Sequence, residues 1–273
     1  MSNVIRPKFG QHPCGCDGTG ILHEAKGNVW VANVCRCVDK CPTCGGERVQ
    51  ITTDARGYDI ARDCSDCVPQ MRLVHRLNRG ELPAQHRPEW APRHPKQTPL
   101  MDAANRWTAD CKAGSRGLLM TGGTGRGKSF VLVHCLRRAA ARGARVRYVE
   151  AKGLLETLKS HFGKKGADDS ASALLCSLRD DFDVLGIDEL PLKLKAGWQQ
   201  DTLGDLLRWR HEANRTVLIT TNLGADSSRP HEDLEAGIKR VFGGGVTGER
   251  MWSRLAASCE VVRADGPDVR RAT

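Results

Sequence analysis

No stretch of this 273-residue chain approaches the roughly 20 consecutive apolar residues that a membrane span requires. The opening residues, MSNVIRPKFG, carry no apolar segment of the kind that marks a secretory signal. With neither feature, the expectation is a cytoplasmic protein that has no membrane partner. No internal repeat of solenoid length recurs, which excludes stacked-repeat architectures. Also missing is any long basic run, because Lys and Arg are spread along the whole chain despite a formal net charge of +10. Such a balance raises the expectation of a nucleic-acid partner without establishing one. At 40% hydrophobic and 27% charged residues, the composition is that of an ordinary globular protein, which argues against disorder.

Cysteine is what the chain has in abundance. Eight of its twelve cysteines fall within residues 1–68. In a reducing compartment, clustered cysteines point to metal rather than disulfides. Cys41-Pro-Thr-Cys44 and Cys64-Ser-Asp-Cys67 form CxxC-x19-CxxC, two knuckles whose four thiolates have tetrahedral reach for a closed zinc site. Cys14-Gly-Cys16 and Cys35-Arg-Cys37 form CxC-x18-CxC, a second quartet with tighter knuckles. Sequential pairing is the simplest reading. A cross-braced pairing that joins Cys14 and Cys16 to Cys64 and Cys67 also satisfies the spacing, and His12 or His23 can stand in for a thiolate. The stretch from Cys14 to Gly20 resembles DnaJ-type zinc modules. Two Zn²⁺ ions are therefore expected, and two four-thiolate sites, each with a net charge of −2, lower the formal charge from +10 to +6. Residues 1–68 are too few and too polar to build a core without metal. Cys111, Cys135, Cys176 and Cys259 are scattered singly and read as packing residues.

From about residue 100, β-rich apolar runs alternate with helical patterns, the signature of βαβ units around a parallel sheet. Gly117–Thr121 reads as a buried strand and FVLVHCLRRAAAR as a helix. Between them lies Gly122-Gly123-Thr124-Gly125-Arg126-Gly127-Lys128-Ser129, a complete GxxxxGK[ST] match. Its glycines let backbone N–H groups converge on phosphates, and the helix start adds a positive dipole end. Lys128 is placed to reach the β- and γ-phosphates of ATP, and the Ser129 hydroxyl to ligate Mg²⁺. The apolar strand from Phe182 ends in Asp188 and Glu189. Asp188 suits the Mg²⁺ shell, and Glu189 suits polarisation of the attacking water. A third apolar run, Thr216-Val-Leu-Ile-Thr-Thr-Asn222, brings Asn222 to a strand end, where it can orient that water or sense the γ-phosphate. In an open parallel sheet ligands gather at the carboxyl ends of the strands, so these motifs converge on one crevice.

With GGTGRGKS, VLGIDEL, LITTNL and GERMWSRL (248–255) in hand, residues 68–273 resemble the DnaC/DnaI-type branch of the AAA+ ATPases, an IstB-like group that loads replicative helicases. The segment RLNRGELPAQHR (76–87) also looks like the one these loaders carry before their ATPase core. The resemblance implies ATP in preference to GTP, in keeping with the missing NKxD motif. It makes Arg254 the arginine finger acting on a neighbouring subunit, with Arg250 as runner-up, and Arg270 a sensor-2 arginine on its own subunit. An arginine acting in trans implies a homo-oligomer when ATP is bound. In such loaders, helical elements between the second and third core strands grip single-stranded DNA, which puts Lys159, Phe162, Lys164 and Lys165 on that face. The basic loop Leu190-Pro-Leu-Lys193-Leu-Lys195 faces DNA or solvent, and Gly243–Gly245 looks like a flexible insertion.

The expected organisation is a cysteine-rich zinc-ribbon-like domain at 1–68, a helix and proline-rich linker at 69–100, and an α/β AAA+ P-loop domain with a helix-flanked parallel sheet at 101–273. The expected function is that of an ATPase loading a replicative helicase onto single-stranded DNA, with the helicase or another replication protein as partner. The alternatives are an IstB-type transposition helper that delivers a transposase to DNA, and a nucleotide-switched adaptor built on the zinc domain.

Overall fold

The computed structural model describes residues 14–16, 18–86, 98–111, 114–161, 167–195, 197–225, 230–265 and 268. The chain divides into two compact units, residues 1–84 and 85–273.

The first unit holds two antiparallel hairpins. Strands β1 (Ile21–Lys26) and β2 (Val29–Val34) form one, and β3 (Val49–Thr53) and β4 (Asp59–Asp63) the other. At the second turn, the Asp54 carboxylate accepts from the Arg56 and Tyr58 amides at 2.8 and 3.0 Å, a side-chain mimic of a backbone turn. Helix α1 (Cys67–Gly80) starts at the last ligand-type cysteine and packs on β2. There Asn78 makes a two-point pairing with the strand: its Oδ1 accepts from Ala32 N at 2.8 Å, and its Nδ2 donates to Ala32 O at 2.9 Å. The chain then returns alongside β2, where Trp30 N donates to Leu82 O and Ala84 N donates to Asn28 O. The boundary expected at residue 68 therefore differs from the compact division at 84. The reason is that the first part of the expected linker serves as packing for the head. Residues 87–97, which include Pro88, Pro92 and Pro95, lie outside the described residues.

In the second unit the order is α2 (Pro99–Asp110), β5 (Gly117–Thr121), α3 (Lys128–Ala141), β6 (Val146–Glu150), α4 (Ala151–His161), α5 (Ala167–Asp180), β7 (Val184–Leu190), α6 (Trp198–Glu212), β8 (Thr216–Thr221), α7 (Pro230–Val241), α8 (Gly245–Ser258) and β9 (Cys259–Arg263). Helix α2 begins with Thr98 accepting from Met101 N and Pro99 in the first turn, the chemistry of a helix start. The five strands form one parallel sheet in the order β6-β7-β8-β5-β9. Strands β5 and β8 are buried along their whole length, as strands covered on both faces must be. Helices α2 and α3 pack on one side, while Leu154, Leu178, Leu203 and Leu255 bring α4, α5, α6 and α8 into the core on the other. Strand β8 lies between the strand that feeds the glycine loop and the strand that carries the paired acids. That insertion sets up the site.

Arg210 on α6 is fully buried. Its guanidinium donates to the carbonyls of Leu178, Phe182 and Thr216 at 2.8–3.1 Å, fastening the end of α5 to the starts of β7 and β8. Burial first, then Arg215, pulls its pKa down to about 9. Arg210→Ala leaves those carbonyls unpaired over a cavity, at a cost of about 3 kcal/mol or more. In calorimetry the transition should fall by roughly 6–12 °C. A change under about 2 °C would mean that water replaces the guanidinium.

The expected flexible insertion at Gly243–Gly245 is instead a tight α7–α8 connection. All three glycines take positive φ (92°, 67° and 48°), and Gly244 N donates to Lys239 O at 2.8 Å. Side chains would strain every one of these steps.

Candidate functional site

The loop after β5 turns through Gly125 and Gly127 at φ of 77° and 82° before α3 begins at Lys128. A Cβ at Gly125 would fall 2.1 Å from Asp268 Oδ1, so Asp268 lies against this loop. Lys128 is only 8% exposed. Its Nζ donates to Gly122 O, Gly123 O and Asn222 Oδ1 at 2.6, 2.8 and 2.8 Å. One ammonium group thus joins the glycine loop to the end of β8.

Asp188 is buried at the end of β7, and hydroxyls surround its carboxylate. Ser129 Oγ donates to Oδ1 at 2.9 Å, Thr220 Oγ1 to Oδ1 at 2.5 Å, and Tyr148 Oη to Oδ2 at 2.8 Å. A serine hydroxyl and a carboxylate converging in this way are a hard-oxygen donor set of the kind Mg²⁺ takes. The ladder between β7 and β8 then skips register, and Glu189 adopts φ of 54°, outside the usual range for a side-chain-bearing residue. The Glu189 amide donates to Thr220 Oγ1 at 2.9 Å, and its side chain is exposed. Asp188 therefore faces inward while the next carboxylate stands at the sheet edge. Burial, followed by the Glu189 carboxylate, pushes Glu150 above the usual carboxylate range. Burial also lowers the pKa of His86, which feels both the Asp188 carboxylate and the Arg137 guanidinium.

The structure thus brings Lys128, Ser129, Asp188 and Asn222 into one hydrogen-bonded group, with Glu189 adjacent. Sequence reasoning missed Tyr148, Thr220 and His86. Thr220 sits inside a recognised strand, whereas Tyr148 comes from β6, which carries no motif. Arg254 on α8 is half-buried and Arg250 is exposed, and neither makes an ion pair among the described residues. Arg270, Phe162, Lys164, Lys165 and His12 lie outside the described residues.

The head gathers its cysteines in two groups. Cys14, Cys16, Cys35 and Cys37 form one, and Cys41, Cys44, Cys64 and Cys67 the other, each with its sulfurs within 4.8 Å of one another. This is the sequential arrangement rather than the cross-braced one. Sulfur pairs stand 3.3–3.8 Å apart, far beyond a disulfide bond. A tetrahedron with Zn–S bonds of about 2.3 Å has edges of about 3.8 Å, so both groups can hold zinc. Burial would raise the Cys64 pKa, but the Cys67 and Asp66 amides outweigh it and hold the thiol at about 7, nearer the thiolate form. His23 stacks on Trp30 at 5.7 Å between ring centroids and belongs to neither group.

Residues 106–273 match the family described as IstB-like ATP binding protein. The chain belongs to that family. No curated protein matches the chain. Two solved structures resemble this IstB-like protein. One is the crystal structure of the DnaI, at 20% identity and TM-score 0.51, covering 64% of this chain and 86% of that one. The other is the crystal structure of the DnaC helicase loader, at 22% identity and TM-score 0.51, covering 63% and 93%. They share the fold of its second unit, a helix-flanked parallel sheet of the AAA+ P-loop kind. The IstB-like chain is accordingly an ATPase. Among the described residues, no helix is long and apolar enough to cross a membrane.

Proposed function

We propose that this IstB-like ATPase loads a replicative helicase onto single-stranded DNA, assembling through ATP and holding its protein partner with the cysteine-rich head. The carrying observation is the group that ties Lys128 to Asn222 and Ser129 to Asp188 across three parallel strands. Lys128 and the loop amides from Gly122 to Gly127 would bind the β- and γ-phosphates. Ser129 and Asp188 would hold Mg²⁺, which supplies charge neutralisation on the phosphates when bound. Glu189 polarises the attacking water and takes its proton, while Asn222 orients that water. The helicase partner is drawn from the likeness to the DnaC helicase loader. Membership of the IstB-like family supports a second reading, delivery of a transposase to DNA.

Arg254 completes the site of a neighbouring subunit in this scheme, since it lacks an ion-pair partner within its own described unit. Arg254→Ala should lower ATP turnover on the order of 10²-fold. Mixing it with the inactive Glu189→Gln protein should restore turnover, because each contributes the part the other lacks. No recovery in the mixture would place Arg254 outside the trans site. To separate the two readings, the zinc-replete chain is offered the replicative helicase and the transposase encoded by its own host. ATP-dependent transfer of helicase to circular single-stranded DNA supports loading. Capture of the transposase alone overturns it.

Tyr148 serves this site as a positioning residue. A hydrogen bond to a charged carboxylate contributes about 1.5–3 kcal/mol, so Tyr148→Phe should cost roughly tenfold or more in kcat/KM. The deciding readout is the Mg²⁺ concentration for half-maximal rate, which should rise. An unchanged Mg²⁺ dependence would reduce Tyr148 to a packing residue.

A further inference from the structure

Strand β9 forms an edge of the sheet beside β5, and the two run in register as far as Thr121 and Arg263. Beyond that point the chain after β9 follows the glycine loop. Ala264 N donates to Thr121 O at 2.7 Å, and the Ala264 carbonyl closes over Gly122, where no Cβ would fit. Asp265 turns back to Arg263, with its Oδ1 2.6 Å from the Arg263 Nε. Asp268 then sets both of its carboxylate oxygens against Gly125, in the middle of the loop, in the space a Cβ would take. A glycine loop of this kind draws anions, because its backbone amides converge and α3 begins there with its positive end. Carboxylate and phosphate oxygens are both acceptors for such amides, and both are negative. The two therefore compete for the loop. Where both are present they repel at short range, and Gly125 and Asp268 are half-buried, so water screens that repulsion only in part.

We propose that Asp268 is a built-in competitor for the nucleotide. Its carboxylate guards the part of the loop that takes the β- and γ-phosphates, and ATP must displace it or bind against its charge. The proposal rests on the reading of Gly122–Lys128 as the phosphate loop and adds a control on its occupancy. Because the acid stands at Gly125, in the stretch that leads into Lys128, the contact discriminates along the phosphate chain. Competition falls on nucleotides that carry a β- or γ-phosphate and spares AMP. The acid also follows an edge strand, so a movement of β9 away from β5 withdraws it from the loop and raises the affinity for nucleotide.

The test uses the full-length, zinc-replete protein with Mg²⁺, and displacement of a fluorescent ATP analogue by ATP, ADP and AMP. The variants are Asp268→Asn, which keeps the shape of the side chain and removes its charge, and Asp268→Ala, which removes both. Asp265→Asn takes away a nearby charge that does not face the loop and serves as the control. Each protein's thermal transition reports that it is folded. Both Asp268 variants should bind ATP and ADP roughly tenfold or more tightly than wild type, while AMP changes by less than about twofold. The control should match wild type for all three nucleotides. Equal affinity for ATP in wild type and both Asp268 variants would overturn the competitor and leave the phosphate loop standing. Weaker ATP binding by folded Asp268→Asn would also overturn it, assigning the carboxylate to the bound metal or to the shape of the loop. Equal gains for ATP and AMP would replace a contact at Gly125 with a general field and overturn it as well. Wild-type protein with no affinity for ATP would remove the phosphate-loop reading and the competitor together.

Discussion

Lys128→Ala and Glu189→Gln should both abolish ATP turnover, and they should do so in different ways. In Lys128→Ala the nucleotide itself is lost. The ammonium is nearly buried and makes three hydrogen bonds shorter than 3 Å. When ATP binds, those charge-assisted bonds are what the β- and γ-phosphates take over. Losing them should weaken ATP by roughly 10²–10³-fold, given about 1.5–3 kcal/mol for each bond to a charged group. In Glu189→Gln the phosphate cradle is untouched, and the exposed amide still reaches water but cannot accept its proton. Turnover should fall by about 10²–10⁴-fold with ATP affinity unchanged within a few-fold. Equilibrium binding of a fluorescent ATP analogue, set beside steady-state phosphate release, separates the two outcomes. Hydrolysis by Glu189→Gln at the wild-type rate would remove the water-activating role. Undiminished ATP binding by Lys128→Ala would remove the P-loop reading altogether.

Removal of metal should unfold the head and leave the ATPase unit intact. Apart from cysteine, the described head buries little more than Ile21, Trp30, Ala32, Val38, Leu77 and Leu82. So small an apolar set cannot offset the ordering of some 70 residues, at about 1–2 kcal/mol of backbone entropy each. Structural zinc contributes about 10–16 kcal/mol in small zinc-binding peptides. Treatment with an organomercurial and a chelator should therefore release two zinc ions per chain. Amide protection in β1, β2 and α1 should vanish, while the thermal transition of the second unit persists. Cys64→Ser should release one ion and retain the other, because the two quartets share no ligand. Persistent protection of α1 in metal-free protein would show that the head holds itself together without zinc.

The parts of this molecule that were readable in advance are those whose chemistry is local. A strand, a glycine loop and a helix start follow one another from Gly117 to Ser129, and each residue type answers to a backbone or phosphate requirement within a few positions. The eight cysteine ligands were legible for a related reason, since each knuckle sets two thiolates two or three residues apart, but which knuckles share a site shows only where the hairpins bring them together. What escaped depends on contacts across the fold. That α1 belongs to the head rests on Asn78 meeting Ala32, 46 residues away. Tyr148 reaches Asp188 from an edge strand whose composition announces nothing. The register skip that turns Glu189 outward depends on how β7 lies against β8, and no spacing within VLGIDEL reveals it. A residue that acts on a second copy of the chain, as Arg254 is proposed to, has its partner outside the monomer's own contacts.

One consequence follows from the place of β8 in the sheet. It is bonded on one side to β5 and on the other to β7, so the strand of the phosphate loop and the strand of the acids never touch. A sideways step of β8 alters the spacing to both neighbours at once. On the proposed reading, anything that displaced the tip of β8 would change the spacing of the phosphate loop and of the paired acids in a single movement.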